Sequence, residues 1–192
     1  MKKTVLGLVL LSMLCVIIGC GSKMKDPKSV AQMSIDSIMN EDYQLFLKIR
    51  SPRVASMDNE MAAILHEEDP ARRRFDLLVK AKHCTRWPTA VSGIEEVEYK
   101  TIKIEIKDNP EPKIAKDGMK YITFTTIKTF EILNHTPDPN YPKLKLPQFG
   151  EAKGWMEVEQ QSDGKWTVSV PPDPTPYGLT KLLENWLRDA GY

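Results

Sequence analysis

An α+β fold, with N-terminal helices packed on a curved antiparallel sheet and an amphipathic helix at the C-terminus, is predicted by three features of the sequence. Apolar residues between positions 27 and 82 recur at spacings of three and four. From about residue 94 they alternate and become β-branched, and over 179–187 they return to helical spacing. The period of the pattern decides which kind of element can bury one face. A change from helical to alternating spacing therefore marks the passage from a helical layer to a sheet.

The helices can be taken in order. Asp26-Pro27 offers an N-cap followed by proline at the first helical position, and Ala31, Ile35, Ile38 and Met39 form the stripe of a helix over about 27–40. Asn40 is placed to cap a second, short helix through Tyr43, Leu45, Phe46 and Ile49, which Ser51-Pro52 stops. Val54, Met57, Met61, Ile64 and Leu65 mark a third. Asp69-Pro70 repeats the capping device, and Phe75, Leu78, Val79 and Lys82 share one stripe of a fourth.

Among the strands, Val97 and Tyr99 alternate on odd positions and Ile102, Ile104 and Ile106 on even ones, so a bulge near Lys100-Thr101 is needed to return both sets to one face. Tyr121 to Leu133 reads as a long central strand, with Ile122, Phe124, Phe130 and Ile132 on one parity. Residues 155–170 form a hairpin around Ser162-Asp163-Gly164. A three-residue loop there pairs Val158 with Val168, Met156 with Val170 and Gln160 with Trp166. Asn134 to Gly154, with four prolines, reads as an ordered excursion carrying a short edge strand at 144–146. Pro171 to Pro176 is an extended spacer, and Leu179, Leu182, Leu183, Trp186 and Leu187 fit the amphipathic template of the last helix.

Composition excludes whole classes. The 192 residues are 41% apolar and 28% charged, with three cysteines, which rules out collagen-like, disulfide-dense and polytopic membrane proteins. A net charge of +1 supplies no global field toward nucleic acid, so no nucleic-acid partner is expected.

The N-terminus is an address. Met1-Lys2-Lys3 precedes an apolar run from Val5 to Ile18, too short to span a bilayer as a helix, and then Gly19-Cys20. Ile17-Ile18-Gly19-Cys20 resembles the lipobox of bacterial lipoproteins. That resemblance implies removal of residues 1–19 by signal peptidase II and a diacylglyceryl group on the Cys20 thiol. It further implies a lipidated tether over 20–25 and one domain over 26–192. An ordinary secretory peptide or an uncleaved anchor is the alternative. Two or more acyl chains hold a protein stably on a membrane, so membrane lipid is the expected partner through Cys20. Gly21, where an aspartate would retain a lipoprotein at the inner membrane, implies the outer membrane of a diderm host. The folded part also resembles the nuclear-transport-factor-two-like and cystatin-like cone folds. In those, an N-terminal helix with a pattern like Ile35 to Leu45 and a step such as Asp42-Tyr43 packs into a curved sheet that often binds ligands in its concavity.

Chemistry-bearing residues are sparse. Cys84 would be the one thiol left in the mature chain besides Cys20, and adjacent His83 does not make a nucleophile pair, because sequence neighbours point apart. His66 and His135 stand in no ligand spacing, so neither a metal nor a cofactor is expected. Glu96 with Glu98 and Glu157 with Glu159 fall on the solvent parity. Tyr43, Tyr99, Trp155 and Trp166, with Trp87 and Trp186, are candidates to line the mouth of a cavity or simply to fill the core. Arg72, Arg73 and Arg74 head a basic run that follows an acidic stretch over 57–69. They form either a patch for anionic headgroups or an acidic partner, or pairs between adjacent helices.

The expectation is a non-enzymatic envelope lipoprotein, lipid-anchored, that binds a small molecule or an envelope protein through the concave face of its sheet. Two alternatives stand beside it. One is a cone-fold enzyme with an acid–base pair in the cavity, Tyr43 and His83 being its candidates; the other is an assembly or inhibitor protein acting through the basic helix.

Overall fold

The computed structural model describes residues 23–65, 68–83, 87–88, 94–137, 148–174 and 188. The leader with Cys20, His66, Cys84, the suggested edge strand at 144–146 and the helix over 179–187 with Trp186 lie outside the described residues. Among the described residues four helices precede the sheet: α1 (Pro27–Met39), α2 (Tyr43–Ile49), α3 (Pro52–Leu65) and α4 (Pro70–Lys82). The strands are β1 (Trp87–Pro88), β2 (Ile94–Ile106), β3 (Lys113–Ile114), β4 (Lys120–Pro137), β5 (Phe149–Gln160) and β6 (Trp166–Val170). The class is α+β, a helical layer on an antiparallel sheet curled into a half-barrel.

Two of the helix starts use the caps read from the sequence, and at a third Ser51, read only as the stop of the helix before it, serves as the cap. The Asp26 carboxylate accepts from the Lys28 and Ser29 N–H groups, the Ser51 hydroxyl accepts from Val54 N–H at 3.2 Å, and Asp69 accepts from Arg72 N–H at 2.9 Å. The fourth differs from expectation. Asn40 does not cap α2; it closes α1, its N–H donating to the Asp36 carbonyl at 2.9 Å, and Asp42 caps α2 through Leu45 N–H. Between them Glu41 adopts φ 59°, a left-handed conformation that reverses the chain and costs a non-glycine residue about 1–2 kcal/mol. The cost is met from α4, where Lys82 Nζ donates to Glu41 Oε1 at 2.6 Å and to the Met39 carbonyl at 3.1 Å.

The strands run in the order β1-β2-β4-β5-β6, with β3 on β4, and every pair is antiparallel. The long strand foreseen from Tyr121 onward is β4, at the centre. The β2–β4 ladder shifts register at three points, and the one that serves as the expected bulge lies between Thr101 and Lys103, so Tyr99, Thr101 and Ile104 are buried while Ile102 is expelled to solvent. In the hairpin, Gly164 takes φ 81° and Val158 pairs with Val168 and Gln160 with Trp166, as the three-residue loop requires. A further register shift at Glu157/Val158 pairs Val170 with Glu157 instead of Met156. The excursion is also shorter than its prolines suggest, because β4 continues to Pro137 and β5 already begins at Phe149. Residues 150, 152 and 154 of β5 are Gly, Ala and Gly, so the alternation is real but carries no bulky apolar signal.

Helix α1 lies against one half of the sheet's inner face. Val30, Ala31 and Ile35 pack with Ile122, Phe124, Met156, Val158, Trp166 and Val168, all buried. Burying each large side chain contributes about 1.5–3 kcal/mol, which makes this the main source of cohesion between helix and sheet. The open edge of β6 is covered by backbone: Trp166 N–H donates to the Met24 carbonyl at 2.8 Å, and Ser51 N–H to the Val168 carbonyl at 3.0 Å.

Candidate functional site

Beyond the reach of α1, the inner face of the sheet changes character. On β4 the buried parity runs Ile122, Phe124, Thr126, Lys128, Phe130, and Lys128 is 1% exposed. Its neighbours across the ladder make that possible. Thr126 faces Gly154, Lys128 faces Ala152 and Phe130 faces Gly150, so small residues on β5 leave room for a long side chain lying over them. A Cβ placed on Gly154 would meet the Thr126 Oγ1 at 2.9 Å and the Lys128 Cε at 3.2 Å. Burial holds the Lys128 ammonium below the ordinary lysine range, against the opposing pull of Asp173.

Asp173 belongs to the segment that follows β6. Pro171 to Pro174 reaches across the sheet toward β2, where the Thr101 hydroxyl donates to the Pro174 carbonyl at 3.0 Å. Between this strap and α4 lies a groove of about 360 Å³, lined by Arg74, Leu77, Leu78 and Ala81 on one side and Val170, Pro171 and Asp173 on the other. It is mostly aliphatic with two polar side chains, the usual make-up of a small-molecule site. Behind Arg74 and Pro171 a second cavity has a volume of about 10 Å³, the space of one water, and Ser34, Arg50 and Val54 also line it.

Arg74 is held from α3. Its Nη2 lies 2.6 Å from Asp58 Oδ1, while Arg50 Nη1 lies 3.0 Å from Asp58 Oδ2, and Asp58 itself is buried. The acidic and basic stretches of the sequence thus meet across a helix interface, and the proposed patch is divided. Consecutive residues on a helix are rotated by about 100°, so Arg74 turns inward while Arg72 pairs with Asp76 at 2.9 Å and stacks over Tyr43. Arg73 stays exposed, on a surface that also carries Glu68, Asp69 and Asp76.

The four aromatic candidates are not brought together. Tyr43 sits in the helical layer against Phe46 and Phe75, with its hydroxyl donating to Asp69. Tyr99 is buried on the inner face, edge-to-face with Phe130 at 5.8 Å, and Trp166 is part of the α1 core. Trp155 is 55% exposed on the opposite, outer face, because it is out of phase with Met156. A shared mouth built from these residues is therefore corrected. Nor are Tyr43 and His83 paired. His83 Nε2 lies 2.7 Å from Glu41 Oε1, and partial burial with Asp69 nearby raises the Tyr43 hydroxyl above its ordinary value, away from use as a base.

Among the described residues no cluster of three or more His, Cys, Asp or Glu side chains is placed to hold a metal, and no helix is long and apolar enough to cross a membrane. Comparisons with protein-family models, with curated proteins and with solved structures return no match. Sequence reasoning missed Lys128, Asp173 and the groove. A signal for the lysine existed: it interrupts the apolar parity of the central strand between Phe124 and Phe130.

Proposed function

We propose that this chain is a lipid-anchored protein of the bacterial envelope, non-enzymatic, whose domain holds a small ligand in the groove between α4 and the strap after β6. The groove is the observation that carries the ligand half of this reading. It shares no lining residue with the core in which Val30 and Ile35 of α1 pack against Phe124 and Met156 of the sheet. Its walls are aliphatic and its polar groups few, so it binds by exclusion of water with one or two orienting contacts.

The anchor half draws support from the lipobox-like order of Ile17-Ile18-Gly19-Cys20 and from Met24. Four residues beyond Cys20, Met24 is already fixed to the edge of β6, which leaves a tether of about 14 Å at full extension. A domain so held stays against the bilayer. In a diderm host, Gly21 favours the outer membrane.

An acid–base enzyme remains the second reading, favoured by one observation, the buried Lys128 with Asp173 nearby. The basic-helix reading loses its shared face, because Arg74 turns toward Asp58 and the groove while Arg72 pairs with Asp76.

Expression of the full chain and of Cys20→Ser in a bacterial host tests the anchor. The native chain should fractionate with membranes and carry acyl mass on Cys20, and the variant should accumulate uncut and unacylated. Unchanged mature size and membrane fractionation of the variant would overturn the reading.

A further inference from the structure

We infer that the groove between α4 and the strap takes a single-chain amphiphile with a monoanionic head, its carboxylate at Arg74 and its chain along Leu77, Leu78 and Ala81. The inference rests on the ligand-binding reading above and names the class of ligand.

The charge comes first. Asp58 is one carboxylate shared by two guanidinium groups, at 3.0 Å from Arg50 and 2.6 Å from Arg74, which leaves one positive charge in excess over the three. Asp58 is buried, and Arg74 is the more exposed of its partners, at 36% against 16% for Arg50. The excess is therefore offered on the side of Arg74 that lines the groove. A monoanion matches it, and a planar carboxylate suits the fork of donors on a guanidinium.

A second observation points to the same place. Ser34 is fully buried on α1, and its hydroxyl oxygen has no hydrogen-bond partner among the described residues. It lines the small cavity that shares Arg74 and Pro171 with the groove, so an unused donor stands directly behind the cation. Buried hydroxyls are normally satisfied, and this one faces a space the size of a single water, through which its donor can be passed on to the head group at Arg74.

Shape decides the rest. From Arg74 to Ala81 the groove follows two turns of helix, about 10 Å, with the cation at one end. That is the length of a short acyl chain. The walls are Leu77, Leu78, Ala81, Val170 and Pro171, with no aromatic ring among the described lining residues on which a sugar or a nucleobase would stack.

The test uses the mature acylated protein in nanodiscs, with [1-13C]decanoate as probe and empty nanodiscs as the baseline for partition into lipid. A carboxylate resonance shifted by the protein and displaced by unlabelled decanoate, but at least tenfold less well by decanol, is expected. Leu77→Glu, at an exposed position on the rim, should weaken decanoate at least tenfold without changing the thermal melt. Arg74→Lys, which keeps the charge but not the fork, should weaken it less. Equal displacement by decanol, no shift above the empty nanodiscs, or an unaltered Leu77→Glu overturns the inference. The mass of Cys20 in the same preparation reports the anchor separately. A different small molecule carried by the native protein, with decanoate unbound, would refute the ligand class while leaving the binder reading in place.

Discussion

Replacing Gly154 by alanine adds one methyl group to the most crowded point of the inner face, and the structure sets the sign of the effect. The new Cβ would lie 2.9 Å from Thr126 Oγ1 and 3.2 Å from Lys128 Cε, well inside the roughly 3.5–4.0 Å at which carbon contacts are favourable. The φ of Gly154 is not in the left-handed region, so the backbone accepts alanine, and the loss of unfolded-state freedom alone would stabilise by about 0.4–1 kcal/mol. Against this stands overpacking, about 1–3 kcal/mol. The lysine end can shift, but threonine is β-branched and stiff at χ1, so the closer contact persists and overpacking prevails. A net loss of about 1–2 kcal/mol is expected. At about 2–4 °C per kcal/mol for a domain of this size, the melting temperature should fall by about 2–8 °C. Circular dichroism melts of Gly154→Ala, Thr126→Ala and the double variant measure it. In the double variant the penalty should shrink by at least about 0.5 kcal/mol, because the contacting atom is gone. A melt at or above that of the parent, or a penalty unchanged by Thr126→Ala, refutes the packing argument.

Two further perturbations probe the scaffold of the groove and the reversal at Glu41. Asp58→Asn leaves the partly exposed Arg50 and Arg74 facing each other without their carboxylate, and urea unfolding should show a loss of about 1–3 kcal/mol; a loss below about 0.5 kcal/mol would mean that the arginines find water instead. Glu41 is held at about 2, against an ordinary value of 4.5, by its hydrogen bond with His83 and then by Lys82. A carboxylate whose folded value is depressed contributes stability that is complete above its unfolded value and lost as the pH falls through the folded one. Glu41→Gln should therefore flatten the stability profile between about pH 5 and pH 2. An identical acid limb in the variant would show that the contacts with α4 form equally in the unfolded chain.

What could be read locally was read well. The caps at Asp26 and Asp69, the stripe of α1, the central strand and the three-residue hairpin loop each depend on residues a few positions apart, where sequence spacing and spatial distance coincide. Asn40 shows the limit, since two capping residues stand two positions apart. The choice of Asp42 for α2 depends on Glu41 reaching α4, forty-odd residues away. The start of β5 was hidden because Gly150, Ala152 and Gly154 face inward without apolar bulk, and their smallness makes sense once Lys128 is seen lying over them.

Sequence alone, then, determined the order of the helices and of the longer strands, and most of their boundaries. Tertiary structure decided which of three consecutive arginines turns inward, which of two capping residues is used, and that a lysine on an apolar strand face is buried beneath a proline strap. The reason is one of range. Capping and periodicity act over one turn of chain, whereas Arg74 meets Asp58, and Lys128 feels Asp173, through the packing of elements whose separation in sequence carries no record of their distance in space.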